Sequence, residues 1–236
     1  MSSLKRNYSI VIYNIKFFIG LTVLALLSSC TIDDAEKYYN LGNSELDKHN
    51  LQLAAEYYSK AIDLNPNNSS AYNNRGKVKY ELDDFEGAIS DFKKALEIEP
   101  RNASANSNYS VYFMNNGDIE MSKVYSTRAI FYDSTYSEAY FNRAMANFFL
   151  GDYKKVIADL DELIKLNPDD IDAYIIRGIA YCSVSDSVQG KIDFSKAETL
   201  GYNLNELDFI VKDLQNQKDY FINNDSDKFD KPQPAR

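Results

Sequence analysis

Residues 69–102 read SSAYNNRGKVKYELDDFEGAISDFKKALEIEPRN, and residues 137–170 read SEAYFNRAMANFFLGDYKKVIADLDELIKLNPDD. Laid over one another, the two agree wherever side-chain size matters. An aromatic stands at place four (Tyr72, Tyr140), a small residue at place eight (Gly76, Ala144) and a bulky one at place twenty-four (Phe92, Leu160). Proline closes both at place thirty-two (Pro100, Pro168). Moving outward in steps of 34 residues, without insertion, adds three units: 35–68, 103–136 and 171–204. Fixed-period self-similarity of this kind precedes any other fold argument, because it identifies a stack of supersecondary units.

The spacing has a physical reading. Two antiparallel helices approach closely only where side chains are small. Place eight is accordingly Gly42, Gly76, Ser110, Ala144 and Gly178, and place twenty is Ala54, Ala88, Ser122, Val156 and Gly190. Aromatics at places four and twenty-four are expected to fill gaps between neighbouring hairpins. Pro66, Pro100 and Pro168 cannot continue a helix and end the second one. Between the helices sit Asp83-Asp84, Gly117-Asp118, Gly151-Asp152 and Ser185-Asp186, whose aspartates suit helix N-caps. The third unit departs most: Asn106 replaces the aromatic at four, and Ser122, Ser126 and Ser134 stand at twenty, twenty-four and thirty-two. In the fifth, Gly190 suggests a second helix that is short or starts late. Leu207, Ile210, Val211 and Leu214 at i, i+3, i+4, i+7 predict a helix over roughly 205–222 that covers the end of the stack. Residues 223–236 read as a polar, disordered tail.

Over 35–204 this pattern resembles the tetratricopeptide repeat. The resemblance implies an all-α fold, a right-handed α-solenoid of about five helical hairpins with a C-terminal capping helix, which binds partners and does not catalyse. It also implies that places 2, 5, 9, 12 and 13 line a concave groove. That picks out Tyr39, Asn43, Asn73, Lys77 and Tyr80 at a polar end, and Phe141, Met145, Phe148, Ile175 and Ile179 at an apolar end, as partner-binding candidates. An aromatic and methionine-bearing groove suits a peptide or partner helix. The alternative is that Phe148, Phe149 and Ile179 pack between repeats or beneath the capping helix. The family's carboxylate clamp needs Lys and Arg where this chain has Tyr39, Ser104 and Asn108; only Asn43 and Asn74 match it.

The first 29 residues read as an address. Lys5, Arg6 and Lys16 flank an apolar run from Phe17 to Leu27, too short for a membrane span of about 20 residues. Leu27-Ser28-Ser29-Cys30 then resembles the bacterial lipobox. The resemblance implies a removed signal peptide at 1–29, acylation of Cys30, a short tether over 30–34, and an outer-membrane location on the periplasmic face or the cell surface. Asp33, Asp34 and Glu36 loosely resemble the surface-export signal of Bacteroidota lipoproteins. Asp33 with Glu36 equally has capping-box spacing. Asp133-Ser134-Thr135 resembles a short O-glycosylation motif of the same group.

Composition narrows function further. The net charge is −9, and the chain beyond residue 29 is more acidic by three charges, so a phosphate backbone is repelled and nucleic acid is not an expected partner. With His49 as the only histidine, a histidine triad or multi-histidine metal site is out of reach. No phosphate loop, nucleophile elbow or metal-ligand spacing occurs, so neither enzyme activity, cofactor nor metal is expected. Cys182 reads as a buried free thiol. The leading expectation is an envelope scaffold that recruits a protein partner, anchored to the membrane by lipid. A self-associating homodimer and a small-ligand or glycan binder are the alternatives.

Overall fold

A computed structural model describes residues 34–224, all helix, turn or coil without a strand among them. The expected signal peptide, Cys30, Asp33 and the tail from 225 onward lie outside the described residues. The helices are α1 (34–47), α2 (Leu51–Leu64), α3 (Ser69–Glu81), α4 (Phe85–Ile98), α5 (Ala103–Asn115), α6 (Ile119–Tyr132), α7 (Ser137–Phe149), α8 (Tyr153–Leu166), α9 (Ile171–Ser183), α10 (Ser187–Thr199) and α11 (Leu207–Asn224). A 3-10 turn, Leu204–Glu206, leads into α11. The chain divides into two compact units, one ending at Ile98 and one starting at Glu99. The first holds hairpins α1/α2 and α3/α4. The second holds α5/α6, α7/α8 and α9/α10, followed by α11. No helix among the described residues is long and apolar enough to cross a membrane.

Three hairpins, α3/α4, α5/α6 and α9/α10, share the same capping chemistry. The first helix of a repeat is capped by Asn68, Asn102 or Asp170, whose side chain accepts the amide of Ala71, Ala105 or Ala173. Asp84, Asp118 and Asp186 do the same for Gly87, Met121 and Gln189 in the second helix. Asp152 does not cap its helix; its carboxylate is taken by the Lys155 ammonium. The α10 helix starts in step with its counterparts, so Gly190 neither delays nor notably shortens it. Its hydrogen in place of a side chain is needed instead: an added Cβ would lie 2.8 Å from the Gly178 carbonyl oxygen and 2.6 Å from Cys182 Sγ.

The turn between the helices places one residue in the left-handed region in all five repeats: His49, Asp83, Gly117, Gly151 and Ser185, with φ between 61° and 81°. The turn is held by backbone bonds such as Asp83 N–H to Tyr80 O at 3.1 Å and Asp84 N–H to Lys79 O at 2.9 Å. This is the Schellman closure, which favours glycine. An L-residue there costs roughly 1–2 kcal/mol, partly returned because glycine loses more entropy on folding. Asp83→Gly and Ser185→Gly are each expected to raise stability by about 0.5 kcal/mol, read as a higher urea midpoint with unchanged far-ultraviolet circular dichroism.

The small places and the bulky places meet inside the hairpin. A Cβ on Gly42, Gly76 or Gly178 would fall 2.6, 2.7 and 2.6 Å from the ring of Tyr58, Phe92 and Phe194 respectively. Each ring at place twenty-four therefore covers place eight of its own repeat, a role the gap-filling expectation had given to neighbouring hairpins. In the third hairpin, Ser110 and Ser126 stand at these places, and both are fully buried. Their hydroxyls donate to carbonyls of their own helices, Ser107 O at 2.7 Å and Ser122 O at 2.9 Å, so the polar substitution leaves no unmet donor. Asn106 likewise replaces the tyrosine of place four in function. Tyr140 and Tyr174 donate to Ser134 O and Pro168 O, and Asn106 Nδ2 reaches the equivalent Pro100 O at 3.2 Å.

Candidate functional site

Most charged groups that could resemble a reaction centre are structural. Arg75, Arg143 and Arg177 at place seven each pair with Asp91, Asp159 and Asp193 at place twenty-three, sixteen residues on. The pairs are bidentate: Arg177 Nε and Nη2 reach the two Asp193 oxygens at 2.8 and 2.6 Å. The same guanidinium crosses to the preceding hairpin, with Nη1 on Asp161 at 2.7 Å, as Arg75 Nη1 meets Ser59 Oγ at 3.0 Å. Where the pair is missing, apolar groups stand in: Leu41 and Tyr57 in the first repeat, Tyr109 and Tyr125 in the third. The latter rings meet edge-on at 4.8 Å, and burial pushes the Tyr109 phenol well above the usual tyrosine range. The signal was present in the sequence as Arg and Asp recurring at i, i+16, a spacing with no local helical meaning.

In the first unit the candidates cluster on the faces of α1 and α3. Tyr58 donates to Asn43 Oδ1 at 2.8 Å, and burial pushes its phenol up to about 12. Asn74 Nδ2 donates to the same Asn43 oxygen at 3.0 Å and to Tyr39 OH at 3.3 Å. Asn73 Nδ2 donates to Asn74 Oδ1 at 3.3 Å. Tyr39, Asn43 and Asn73 are thus drawn together through Asn74, which stood out in the sequence only as a clamp position. Asn73 itself is 3% exposed and forms the floor of this network. Tyr80 packs edge-on against Phe85, with centroids 5.1 Å apart. Lys77 is exposed at the rim, outside the network.

In the second unit the apolar candidates have become core. Phe148, Ile175 and Ile179 are buried at 5, 1 and 7% exposure, with Phe141 and Met145 half-buried against the same cluster. Part of α11 joins this core. Leu214 is a buried member of that cluster, and Leu207 and Ile210 pack against it. The helix lies on α7, and Lys218 Nζ donates to Tyr153 OH at 2.9 Å. The expected end cap therefore lies against α7, while Val188 and Ile192 on α10 remain 70 and 55% exposed. Val211, expected on the packed stripe, is 40% exposed.

Two other residues depart from expectation. Cys182 is exposed, because its place on α9 turns it outward over Gly190. Asp133-Ser134-Thr135 is a turn device: Asp133 Oδ1 accepts the Thr135 amide at 2.9 Å and hydroxyl at 2.7 Å, which hold its carboxyl below the usual carboxylate range.

Comparison with known proteins agrees with this geometry. Residues 35–68, 69–102 and 137–170 match the family pattern described as tetratricopeptide repeat. Serine/threonine-protein phosphatase 5 of Rattus norvegicus and Mus musculus is 31% identical over 143 residues, 61% of this chain and 22% of the phosphatase. The chain thus spans about a fifth of the length of these curated relatives. Among solved structures, the Pseudomonas aeruginosa pilF structure superposes with a TM-score of 0.68 at 16% identity, covering 81% of this chain and 90% of that one. YrrB, described as a TPR protein with an unusual peptide-binding site, gives 0.58 at 21% identity, covering 76 and 92%. MamA from Desulfovibrio magneticus RS-1 gives 0.59 at 18%, covering 71 and 95%. At these identities the likeness is one of fold.

Proposed function

We propose that this tetratricopeptide-repeat protein is a non-catalytic interaction scaffold of the bacterial envelope, anchored to the outer membrane through Cys30, that receives a protein partner on the faces of its first helices. The observation that carries this reading is the surface of α1 and α3. There the phenols and carboxamides of Tyr39, Asn43 and Asn74 form one hydrogen-bonded network beside the exposed ammonium of Lys77. Such groups can exchange internal bonds for the amides of an extended peptide at little net cost, since each exchange conserves hydrogen bonds. The unusual peptide-binding site described for YrrB is consistent with this use of the fold. The fold by itself does not name the partner.

The test is affinity capture from detergent-solubilised envelope. Wild type is compared with a Tyr39→Ala/Lys77→Glu variant that retains its circular dichroism spectrum. The expected result is a partner captured by wild type, lost with the variant, and bound again by purified wild type when presented as a synthetic peptide. If the folded variant captures the same set, the α1/α3 face is not the site. Recovery of this chain alone puts the homodimer in its place. For the anchor, labelled palmitate is expected in wild type and not in Cys30→Ala; label in both would overturn acylation at Cys30.

A further inference from the structure

We infer that the apolar face of the second unit is a groove for an amphipathic partner helix, and that α11 is its built-in, displaceable occupant. The inference rests on the reading that the chain binds proteins through the faces of its first helices, and it names the partner class for the second of them.

Over residues 207–219 the hold of α11 is narrow: Leu214 is buried and Leu207 and Ile210 are half-buried, whereas Phe209 is 73% exposed. These three aliphatics fall at i, i+3 and i+7, and Lys218 follows at i+11 to donate to Tyr153. One apolar stripe and one polar latch at the rim are the features of a helix seated in a groove. A stretch with so few buried groups as 207–219 opens at a lower free energy than the hairpins it rests on.

Helix α11 covers the last hairpin only in part. Val188 and Ile192 at the last hairpin stay exposed with α11 in place, so α11 does not shield these two. What its departure uncovers is the part of the cluster on α7, the helix that bears Phe141, Met145 and Phe148, against which Leu207, Ile210 and Leu214 pack. A contiguous apolar surface with an adaptable methionine calls for a replacement. The resident helix states the chemistry of that replacement: branched aliphatics at i, i+3 and i+7, then a cation at i+11 for the Tyr153 hydroxyl. Because α11 is tethered, it competes at an effective concentration on the order of millimolar, which lowers the apparent affinity of any rival.

The experiment uses the full chain and needs no envelope partner, so its failure is distinct from failure of the α1/α3 capture. The probe is a fluorescein-labelled synthetic peptide of residues 204–224, followed by anisotropy. Ile210→Asp/Leu214→Asp, which ejects α11, is expected to bind the peptide at least tenfold more tightly than wild type. The peptide carrying both aspartates is expected not to bind either protein. Equal binding, or none, by a folded variant overturns the inference. Should that variant not fold, hydrogen exchange on the wild type decides. Amides of 207–219 are expected to exchange at least a hundredfold faster than those of α7 to α9; exchange of α11 together with α7 in a single step overturns it.

Discussion

Asp159→Ala is expected to lower stability by about 3 kcal/mol. The carboxylate is 4% exposed and accepts Arg143 Nε at 3.0 and 3.1 Å, Nη2 at 2.5 Å, and Asn147 Nδ2 at 3.1 Å. Alanine removes every one of these acceptors while the donors stay in place. Breaking a buried ion pair costs roughly 3–5 kcal/mol because a charge is left uncompensated. The Arg143 side chain keeps 24% exposure and can recruit water, which puts the cost at the lower end. The third repeat shows the cure. Its places seven, eleven and twenty-three hold Tyr109, Phe113 and Tyr125, and Phe113 stacks on Tyr125 at 5.2 Å. Arg143→Tyr/Asn147→Phe/Asp159→Tyr, which removes donors and acceptor together, is expected to recover more than half of the loss. Urea unfolding followed by circular dichroism measures both. A single substitution costing under about 1 kcal/mol would mean that solvent already satisfies the guanidinium.

Gly76→Ala is the second large expectation, and its sign runs against helix propensity. Alanine in a helix interior is worth up to about 1 kcal/mol over glycine. Here the added Cβ would sit 2.7 Å from Phe92 Cε1 and 3.2 Å from the Ala88 carbonyl oxygen. Phe92 is 2% exposed, so its ring has no vacant space to move into. Overpacking of this kind costs roughly 1–3 kcal/mol, and the net effect is expected to be a loss of about 2 kcal/mol. The fourth repeat carries alanine at place eight because Leu160 stands at twenty-four. Gly76→Ala/Phe92→Leu is therefore expected to be less damaging than the sum of its parts, a coupling that a double-mutant cycle reads directly. Additive costs would show that the two places do not compensate each other.

Both expectations concern pairs, and neither pairing was legible in the sequence, although the places themselves were. Places eight and twenty-four were visible from one sequence because small and large residues recur with a fixed period. The Arg–Asp pairs recur with the same period, and in both kinds of pair the partners stand sixteen residues apart across a turn. Nothing local relates them until two helices are laid side by side. Asn106 reads as a defect in the repeat, and only the position of the Pro100 carbonyl shows that a carboxamide reaches the acceptor its tyrosine counterparts use.

The candidate site divides along the same line. The residues on the first helices follow from a 34-residue register, so Tyr39, Asn43, Phe141 and Ile175 were all placed on the correct elements by counting. Which of them stay open was not legible, because openness depends on what the rest of the chain leaves uncovered. The stripe of Leu207, Ile210 and Leu214 states that α11 has an apolar face and is silent on its address. Both the end of the stack and the face of α7 offered apolar surface. The sequence by itself determined the hairpins, their turns and their register, since these depend on interactions within one period. Tertiary structure decided the seat of α11 and the burial of Phe148, Ile175 and Ile179, because burial is a competition among surfaces that no single segment encodes.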